Sequence, residues 1–163
     1  MKTINLIPGK VALVDDADYD WVNQKPWHAQ INHCGIFYAV SSYRKEKMHR
    51  VIMGLQKDDK RQVDHINHDG LDNRRCNLRI CTNAQNCMNG KHKGGSSKYK
   101  GVTYHSKSGK WQAQIEINNK HIRLGSHNTE NEAATAYNNA AIKYFGEFAR
   151  INVIEDIVKN EIN

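Results

Sequence analysis

The chain has 163 residues, which is enough for one ordinary domain or two small ones. A hydrophobic fraction of 39% and a mean hydropathy of −0.78 predict a modest core, and no apolar run approaches the ~20 residues of a membrane span. The formal net charge of +7 points to a polyanionic partner. Residues 1–16 lack a long apolar core and a small-residue cleavage site, so we expect no signal peptide and a cytoplasmic, intracellular location.

The positive charge is concentrated in the middle of the chain. Residues 1–40 carry three Lys against four Asp, residues 41–96 carry twelve Lys or Arg against six acids, and residues 97–163 carry nine against seven. This distribution favours a directed basic face, with a solvated surface as the alternative for any single run.

The four cysteines are Cys34, Cys76, Cys81 and Cys87. They form no C-x-x-C pair and match no zinc-ribbon or zinc-finger spacing. We interpret them as free thiols in a reducing compartment, with small packing roles.

The first part of the chain predicts short strands and helices. Two strands meet at the Pro8-Gly9 turn. The Asp-rich stretch that follows suits a helix N-terminus better than a metal site, because Asp side chains accept hydrogen bonds from the free N–H groups there. Trp21 and Trp27 are expected in the core. The predicted elements are strands at 3–7, 10–14 and 36–42, a helix start at 15–20 and an amphipathic helix at 48–55.

Residues 62–88 predict a strand, a polar loop, a second strand and a helix. Asn, Asp and Gly dominate the loop. Thr82 with Gln85 three residues later is a capping-box pattern, which starts the helix. The predicted bounds are 62–64 for the first strand, which ends at His65, 66–77 for the loop, 78–81 for the second strand, and 82 to about 88 for the helix.

Residues 90–97 contain no apolar side chain, and we interpret them as a flexible basic linker at a domain boundary. Three alternating runs with turn-like separators then predict an antiparallel meander. Thr129 with Glu132 is a second capping box, and an alanine-lined helix follows up to Gly146, which covers one face of the sheet. The predicted strands are 101–105, 110–117 and 121–125, and a short tail helix is predicted at 153–158.

The stretch 63–86 carries the residue types that phosphodiester hydrolysis needs: a base that deprotonates water and groups that hold a cation. His65 suits the base, because imidazole titrates near neutrality. Asp64 offers a carboxylate and Asn86 an amide oxygen to a hard cation such as Mg²⁺. Asn77 suits bracing of the loop. The candidate phosphate contacts in this stretch are Arg74, Arg75 and Arg79.

Asp64 and His65 are adjacent, and neighbours in a strand point to opposite sides, so one site for both requires a distortion at the strand end. The pattern D-H-x-N, D-N-R-x-x-N-L-R and T-x-x-x-N resembles the HNH endonucleases with the ββα-metal fold, especially the phage group that includes intron-encoded homing endonucleases. The upstream M-H-R-x-I-M is similar to the same group. The resemblance implies a general-base role for His65, metal ligation by Asp64 and Asn86, and loop bracing by Asn77. Asn at the last signature position, where many relatives have His, implies one Mg²⁺ or Mn²⁺ ion and argues against Zn²⁺.

Residues 98–152 resemble the Apetala/ethylene-response-factor DNA-binding domain, in Y-x-G-V, G-K-W-x-A-x-I, L-G-x-x-x-T-x-E-x-A-A-x-A-Y and the closing I-N. The resemblance implies that the exposed sheet face enters the DNA major groove. Plant relatives have many arginines at the contact positions and prefer GC-rich sites, so this chain is expected to have a different target. The matching positions are Lys100, Thr103, His105, Lys110, Trp111, Gln114, Glu116, His121 and Arg123. Packing in the sheet is the alternative for Trp111, and contact with phosphates alone is the alternative for Lys100 and Lys110.

Together these features predict an α+β protein with a ββα-metal nuclease domain followed by a three-stranded antiparallel sheet on one helix. The predicted function is a metal-dependent DNA endonuclease from a phage or mobile element, including a homing enzyme. It is expected to need double-stranded DNA and one Mg²⁺ or Mn²⁺ per active site, but no membrane or protein partner. The alternative is a DNA-binding regulator with an inactive nuclease module. The predicted domains are 1–89 with the nuclease core at 48–89, the linker 90–97 with DNA contacts Lys91 and Lys93, the DNA-binding domain 98–152 and a tail 153–163.

Overall fold

The computed structural model describes residues 1–90, 92 and 94–154. The chain is α+β, as predicted, and divides into two compact units, Met1–Asn86 and Cys87–Asn163. This division falls a few residues before the predicted linker. In the described part of the chain, no helix is both long and apolar enough to cross a membrane.

The first unit begins with an antiparallel hairpin and a short helix. Its elements are β1 (Lys2–Leu6), β2 (Lys10–Val14) and α1 (Asp16–Val22). Trp27 is buried, as predicted, with 2% of its surface exposed. The prediction for Trp21 is wrong, because its side chain is 38% exposed and its indole N–H donates to Asp18 Oδ1 at 3.2 Å instead of entering the core.

A second hairpin and a helix follow in the same unit. They are β3 (Trp27–Ile31), β4 (Phe37–Ser41) and α2 (Met48–Ile52). Strand β3 was not predicted, although W-H-A-Q-I alternates apolar and polar residues as a strand does. Helix α2 ends three residues earlier than expected, because Gly54 adopts a positive φ of 70° and turns the chain, while Leu55 beyond it stays buried.

The last part of the first unit forms a third hairpin. The elements are β5 (Gln62–His65) and β6 (Leu78–Cys81), with a turn of 3₁₀-helix at Arg75–Asn77, followed by α3 (Asn83–Met88), whose last two residues belong to the second unit. Val63 and Leu78 pack into the core of the unit and anchor the hairpin. The predicted capping box is confirmed: Thr82 Oγ1 accepts from the Gln85 N–H at 3.2 Å, and Gln85 Oε1 accepts from the Thr82 N–H at 2.8 Å.

The second unit is a three-stranded antiparallel sheet covered by one helix, as predicted. Its elements are β7 (Val102–His105), β8 (Lys110–Ile117), β9 (Lys120–His127) and α4 (Glu130–Phe145). The capping box of Thr129 and Glu132 is confirmed at the start of α4. Small side chains let the helix lie close to the sheet, and those that it buries include Ala133, Ala134, Ala140 and Ala141.

Polar side chains close the ends of the second unit. Asn152 Oδ1 accepts from the Lys100 N–H at 2.7 Å, and Asn152 Nδ2 donates to the Lys100 carbonyl at 3.1 Å. Ser97 Oγ donates to Glu130 Oε1 at 2.6 Å, so the serine end of the predicted linker belongs to this unit. Residues 151–154 form no regular secondary structure, and the rest of the predicted tail helix lies outside the described residues.

Candidate functional site

The side chain of Asn77 closes the polar loop between β5 and β6. Its Oδ1 accepts a hydrogen bond from the backbone N–H of Asn67 at 2.9 Å, and its Nδ2 donates to the carbonyl of Asp72 at 2.8 Å. Its own carbonyl accepts from the N–H of Ile66 at 2.9 Å. Asn77 therefore joins the start of the loop, directly after His65, to its far side.

The same loop is attached to strand β2. The N–H of Leu13 donates to the carbonyl of Leu71, and the N–H of Asn73 donates to the carbonyl of Leu13, both at 2.8 Å. Asp72 and Asn73 are 2% and 0% exposed. Buried polar groups of this kind are expensive to displace, because each depends on its hydrogen-bond partners. The loop that follows His65 is therefore a fixed part of the fold.

Asp64, the first predicted metal ligand, forms an ion pair across the hairpin. It lies directly opposite Arg79, whose Nε and Nη2 donate to Asp64 Oδ2 at 3.0 and 2.7 Å, and both side chains are largely buried. The antiparallel pairing continues regularly to His65 and Leu78. Because neighbours on a paired strand point to opposite faces, this pairing places Asp64 and His65 on different faces of the hairpin, without the distortion that a shared site requires.

His65, the predicted general base, lies among aromatic rings. It is 5% exposed, and its ring meets the ring of His49 edge to face, with centroids 4.8 Å apart and planes at 85°. Tyr38 packs against both imidazoles. Burial lowers the pKa of His65, while the Asn73 side chain and nearby carboxylates oppose that shift. The imidazole is therefore neutral near pH 7, which is the form that accepts a proton.

His49 is a buried residue that sequence reasoning missed. A histidine in an amphipathic helix is ordinarily expected on the polar side, but the His49 side chain is only 4% exposed. Burial, assisted by the positive charges of neighbours such as Lys47, lowers the pKa of His49 well below its ordinary value. The signal that pointed to it is the M-H-R-x-I-M segment, which was noted for its resemblance but given no role.

The three arginines predicted as phosphate contacts are each paired with a carboxylate, and their contact with DNA stays a prediction. Arg74 Nε and Nη2 donate to the two oxygens of Asp72 at 2.7 and 2.6 Å. Arg75 Nε and Nη2 donate to the two oxygens of Asp18, both at 2.8 Å. Arg79 has the partner described above. Asp18 is 57 residues from Arg75 in the sequence, so no local pattern could show that pair.

Asn86, the second predicted metal ligand, is a half-buried residue of α3. Among the residues that the structure describes, no three His, Cys, Asp or Glu side chains are grouped so as to hold a metal ion. One carboxylate and one amide oxygen form a different donor set, which suits a hard ion that keeps most of its water. The Asp64 carboxylate already binds a cation, the guanidinium of Arg79. Oxygen donors of this type are the ones that Mg²⁺ or Mn²⁺ would take, and Arg79 would compete with such an ion for the carboxylate.

The face of the second unit's sheet that is turned away from α4 carries most of the predicted DNA contacts. Strand alternation places them together, and all are exposed: Thr103, His105, Lys110, Gln114, Glu116, His121 and Arg123. The register sets His105 opposite Lys110, Gln114 opposite Arg123, and Glu116 opposite His121. This face thus presents hydrogen-bond donors and acceptors, and both positive and negative charges, in adjacent rows.

Two other predicted contacts are engaged within the second unit. Trp111 lies opposite Tyr104, with ring centroids 5.0 Å apart, and packs against the core on the helix side, as its alternative interpretation held. Lys100 Nζ donates to the carbonyls of Met88 at 2.6 Å and Gly90 at 2.8 Å, so it binds the backbone of its own unit. The remaining predicted contacts lie outside the described residues: Lys91 and Lys93.

The second unit thus combines a sheet whose one face is covered by a helix with an opposite face that is exposed and polar. The family model of the AP2 domain matches residues 97–147. The chain is 48% identical over 60 residues to the ethylene-responsive transcription factor WRI1, and 52% identical over 54 residues to the AP2-like ethylene-responsive transcription factor PLT2, both of Arabidopsis thaliana. These alignments cover 36% and 32% of this chain but only 14% and 10% of the plant proteins, so the likeness is confined to one domain.

One relative extends over both units. The chain is 32% identical over 151 residues to an uncharacterized HNH endonuclease of Acanthamoeba polyphaga mimivirus, and the alignment covers 90% of this chain and 77% of the relative. The chain belongs to the HNH endonuclease family, and it combines that family's sequence pattern with a C-terminal AP2 domain.

Proposed function

We propose that this protein is a metal-dependent DNA endonuclease whose AP2 domain selects the site of cleavage. The observation that carries the proposal is the 32% identity to an HNH endonuclease over 151 residues, which span both units. The order β5, β6, α3, with the D-H pair at the end of β5, is consistent with a ββα-metal nuclease fold.

His65 is the proposed general base. Its neutral imidazole would accept a proton from the water that attacks the phosphorus. Asn77 would contribute through the backbone, because its two side-chain hydrogen bonds fix the loop that begins directly after His65. Such fixing matters for the rate, since a small displacement of a reacting group lowers catalysis steeply.

Asp64 and Asn86 are the proposed ligands of one Mg²⁺ or Mn²⁺ ion. When bound, the ion would supply positive charge that stabilises the phosphate and the leaving oxygen in the transition state. The carboxylate oxygen that Asp64 would offer also accepts from Arg79, so the guanidinium competes for it. Arg79 thereby keeps the buried carboxylate neutralised before an ion binds.

The AP2 domain is proposed to bind double-stranded DNA through the exposed face of its sheet. Arg123 suits guanine, Gln114 suits adenine and Glu116 suits the amino group of cytosine, so this face is expected to read a mixed sequence. A module that holds the nuclease unit near one site raises its local concentration there. We extend the proposal to a phage or mobile-element role, including homing, because such an arrangement suits an enzyme that cuts few sites.

The second candidate is a DNA-binding regulator with an inactive nuclease unit. One observation favours it: the carboxylate proposed to bind the metal is paired with Arg79, and His65 lies on the other face of the hairpin. In that case the AP2 domain would bind DNA while the first unit served as a scaffold.

Cleavage of supercoiled plasmid in Mg²⁺ or Mn²⁺ separates the two candidates. We expect the wild-type protein to nick or linearise the plasmid, and chelator or His65→Ala to abolish the activity. His33→Ala is the matched control, because His33 is an exposed histidine of the same unit and should retain full activity. DNA binding without cleavage by the wild type, in either metal, would establish the regulator.

A further inference from the structure

We propose that His49 is a positioning residue for the catalytic base, and that its imidazole, together with the ring of Tyr38, fixes the plane of the His65 ring. This inference rests on the proposed nuclease function, in which His65 is the base. The three rings come from three separate elements: Tyr38 from β4, His49 from α2 and His65 from the end of β5. Their meeting is therefore a product of the tertiary fold.

The geometry of the three rings constrains His65 from two directions. His49 meets it at 85° with centroids 4.8 Å apart, and Tyr38 meets it at 55° with centroids 5.8 Å apart. Tyr38 and His49 also contact each other, at 70° and 5.6 Å. Edge-to-face contacts at such distances are favourable and directional. The terminal torsion of a histidine is otherwise broad, so these rings, together with the Asn73 side chain, limit the directions in which the ring nitrogens of His65 point.

Tyr38 is itself held against the loop that follows His65. A Cβ atom on Gly70 would lie 2.8 Å from the Tyr38 ring, which shows how closely the loop backbone approaches it. The ammonium of Lys47 lies over the same ring, 4.9 Å from its centroid. The ring cluster is thus continuous with the loop that Asn77 braces. The rings of Tyr38 and His49 hold the side chain of His65, and Asn77 holds the backbone that follows it.

His49 is poorly suited to any direct chemical role. It is 4% exposed and lies outside the D-H-x-N pattern that carries the proposed chemistry. It belongs to no metal-binding group of His, Cys, Asp or Glu among the described residues. Burial keeps its imidazole neutral, so it offers no charge to the base. The remaining alternative is an inert core residue, and leucine would fill that role at least as well.

Two substitutions separate positioning from inert packing. His49→Phe keeps an aromatic ring at the site, and His49→Leu keeps an apolar side chain without the ring. The nicking rate at saturating protein and the half-saturating concentration are measured for each with supercoiled plasmid and Mg²⁺. The signals of the His65 ring are followed in the metal-free, full-length protein by imidazole ¹⁵N NMR, and unfolding by urea reports stability.

We expect His49→Leu to lower the nicking rate about 10- to 100-fold, which is the usual loss when a partner that orients a functional side chain is removed. The half-saturating concentration should be unchanged. His49→Phe should retain most of the rate. The ¹⁵N signals of His65 should shift toward a mixture of tautomers in the Leu variant alone. A Leu variant that nicks at the wild-type rate, or whose loss merely follows its stability, overturns the proposal.

The positioning role can still be tested if the wild-type protein does not nick DNA or if the His49 variants do not fold. If the wild-type protein does not nick DNA, the proposed function falls, and the ring signals alone decide: unchanged His65 signals in His49→Leu refute the positioning role. If the His49 variants do not fold, Tyr38→Phe and Tyr38→Leu form an equivalent pair, because Tyr38 contacts the same His65 ring.

Discussion

Asp64 and Arg79 face each other across the β5–β6 hairpin, and the guanidinium donates through Nε and Nη2 to Asp64 Oδ2. Both side chains are close to fully buried, with 8% of Asp64 and 12% of Arg79 exposed. The pair links the proposed metal ligand to a fixed internal cation. In the proposed metal site, the affinity for a divalent ion would depend on how readily Arg79 gives up that oxygen.

Replacing Arg79 should make the first unit dependent on metal for stability. Removal of one partner from a buried ion pair typically costs about 3–5 kcal/mol, because the other charge is left uncompensated. We expect Arg79→Gln to unfold at lower urea concentration than wild type, and Mg²⁺ or Mn²⁺ to restore more stability to the variant than to the wild type. The control is Arg61→Gln, which breaks the exposed pair with Asp59 and should leave the metal response unchanged. Equal metal-induced shifts in all three proteins would refute a metal site at Asp64.

Asn77→Ala should loosen the loop between β5 and β6. The substitution removes one buried and one partly buried hydrogen bond, and it leaves the Asp72 carbonyl unsatisfied at a cost of about 1–3 kcal/mol. Hydrogen exchange across residues 66–77 should accelerate, and nicking should fall in the same variant. Asn32→Ala is the matched control, because the Asn32 side chain also makes two hydrogen bonds to the backbone, here both as acceptor, in the turn between β3 and β4. If both variants lose activity equally, Asn77 has no special relation to His65.

Gly70→Ala should disturb the ring cluster through Tyr38. Gly70 has no positive φ, so the cost is steric: a Cβ there would meet the Phe37 carbonyl and the Tyr38 ring. Overpacking of this kind typically costs about 1–3 kcal/mol. Gly109→Ala provides the comparison, because Gly109 has a φ of +63° but nearly open space around it. Urea unfolding should show a larger loss of stability for Gly70→Ala than for Gly109→Ala. An equal loss would mean that the loop backbone shifts to accommodate the Cβ atom.

The second unit was largely predictable because its signals are local. Alternating residues, turn-forming separators and the Thr129–Glu132 capping box each specify one element without reference to distant parts of the chain. The same holds for the β5–β6 hairpin and the capping box that begins at Thr82. Where a pattern is carried by residues within one element, sequence alone places the element.

The candidate site was harder to predict because its decisive contacts are tertiary. His49 meets His65 from another element, and Arg75 finds Asp18 at the start of the chain. Basic residues in a polar loop look like phosphate contacts in the sequence, and only the fold reveals that carboxylates already hold them. Trp21 was misplaced for a related reason, since apolar character does not say which face of a short helix is covered.

The ion pair of Asp72 and Arg74 should make stability depend on pH in the acid range. The Arg74 guanidinium lowers the pKa of the Asp72 carboxyl below its ordinary value of 3.8. A carboxyl whose pKa is lower in the folded state contributes stability that is present above the unfolded pKa and is lost as the pH falls through the folded one. We expect urea unfolding to show this loss beginning near pH ~4 and continuing below it. Asp72→Asn and Arg74→Gln should each reduce the fall in unfolding free energy at acid pH. If both variants lose stability with pH as the wild type does, the pair is not the cause of that fall.

The exposed sheet face should divide into residues that read bases and residues that touch phosphates. Arg123→Ala should weaken binding to the preferred duplex by about 1–3 kcal/mol and relax the preference at one base pair, because arginine pairs with guanine through two hydrogen bonds. Lys110→Ala should weaken binding to all sequences alike and reduce the slope of log affinity against log salt by about 1. Selection from a random duplex library with the full-length chain, followed by competition at two salt concentrations, measures both effects. Lys143→Ala is the control, because Lys143 lies on α4, which covers the other face of the sheet. If that variant loses as much affinity as Lys110→Ala, the DNA is bound elsewhere on the domain.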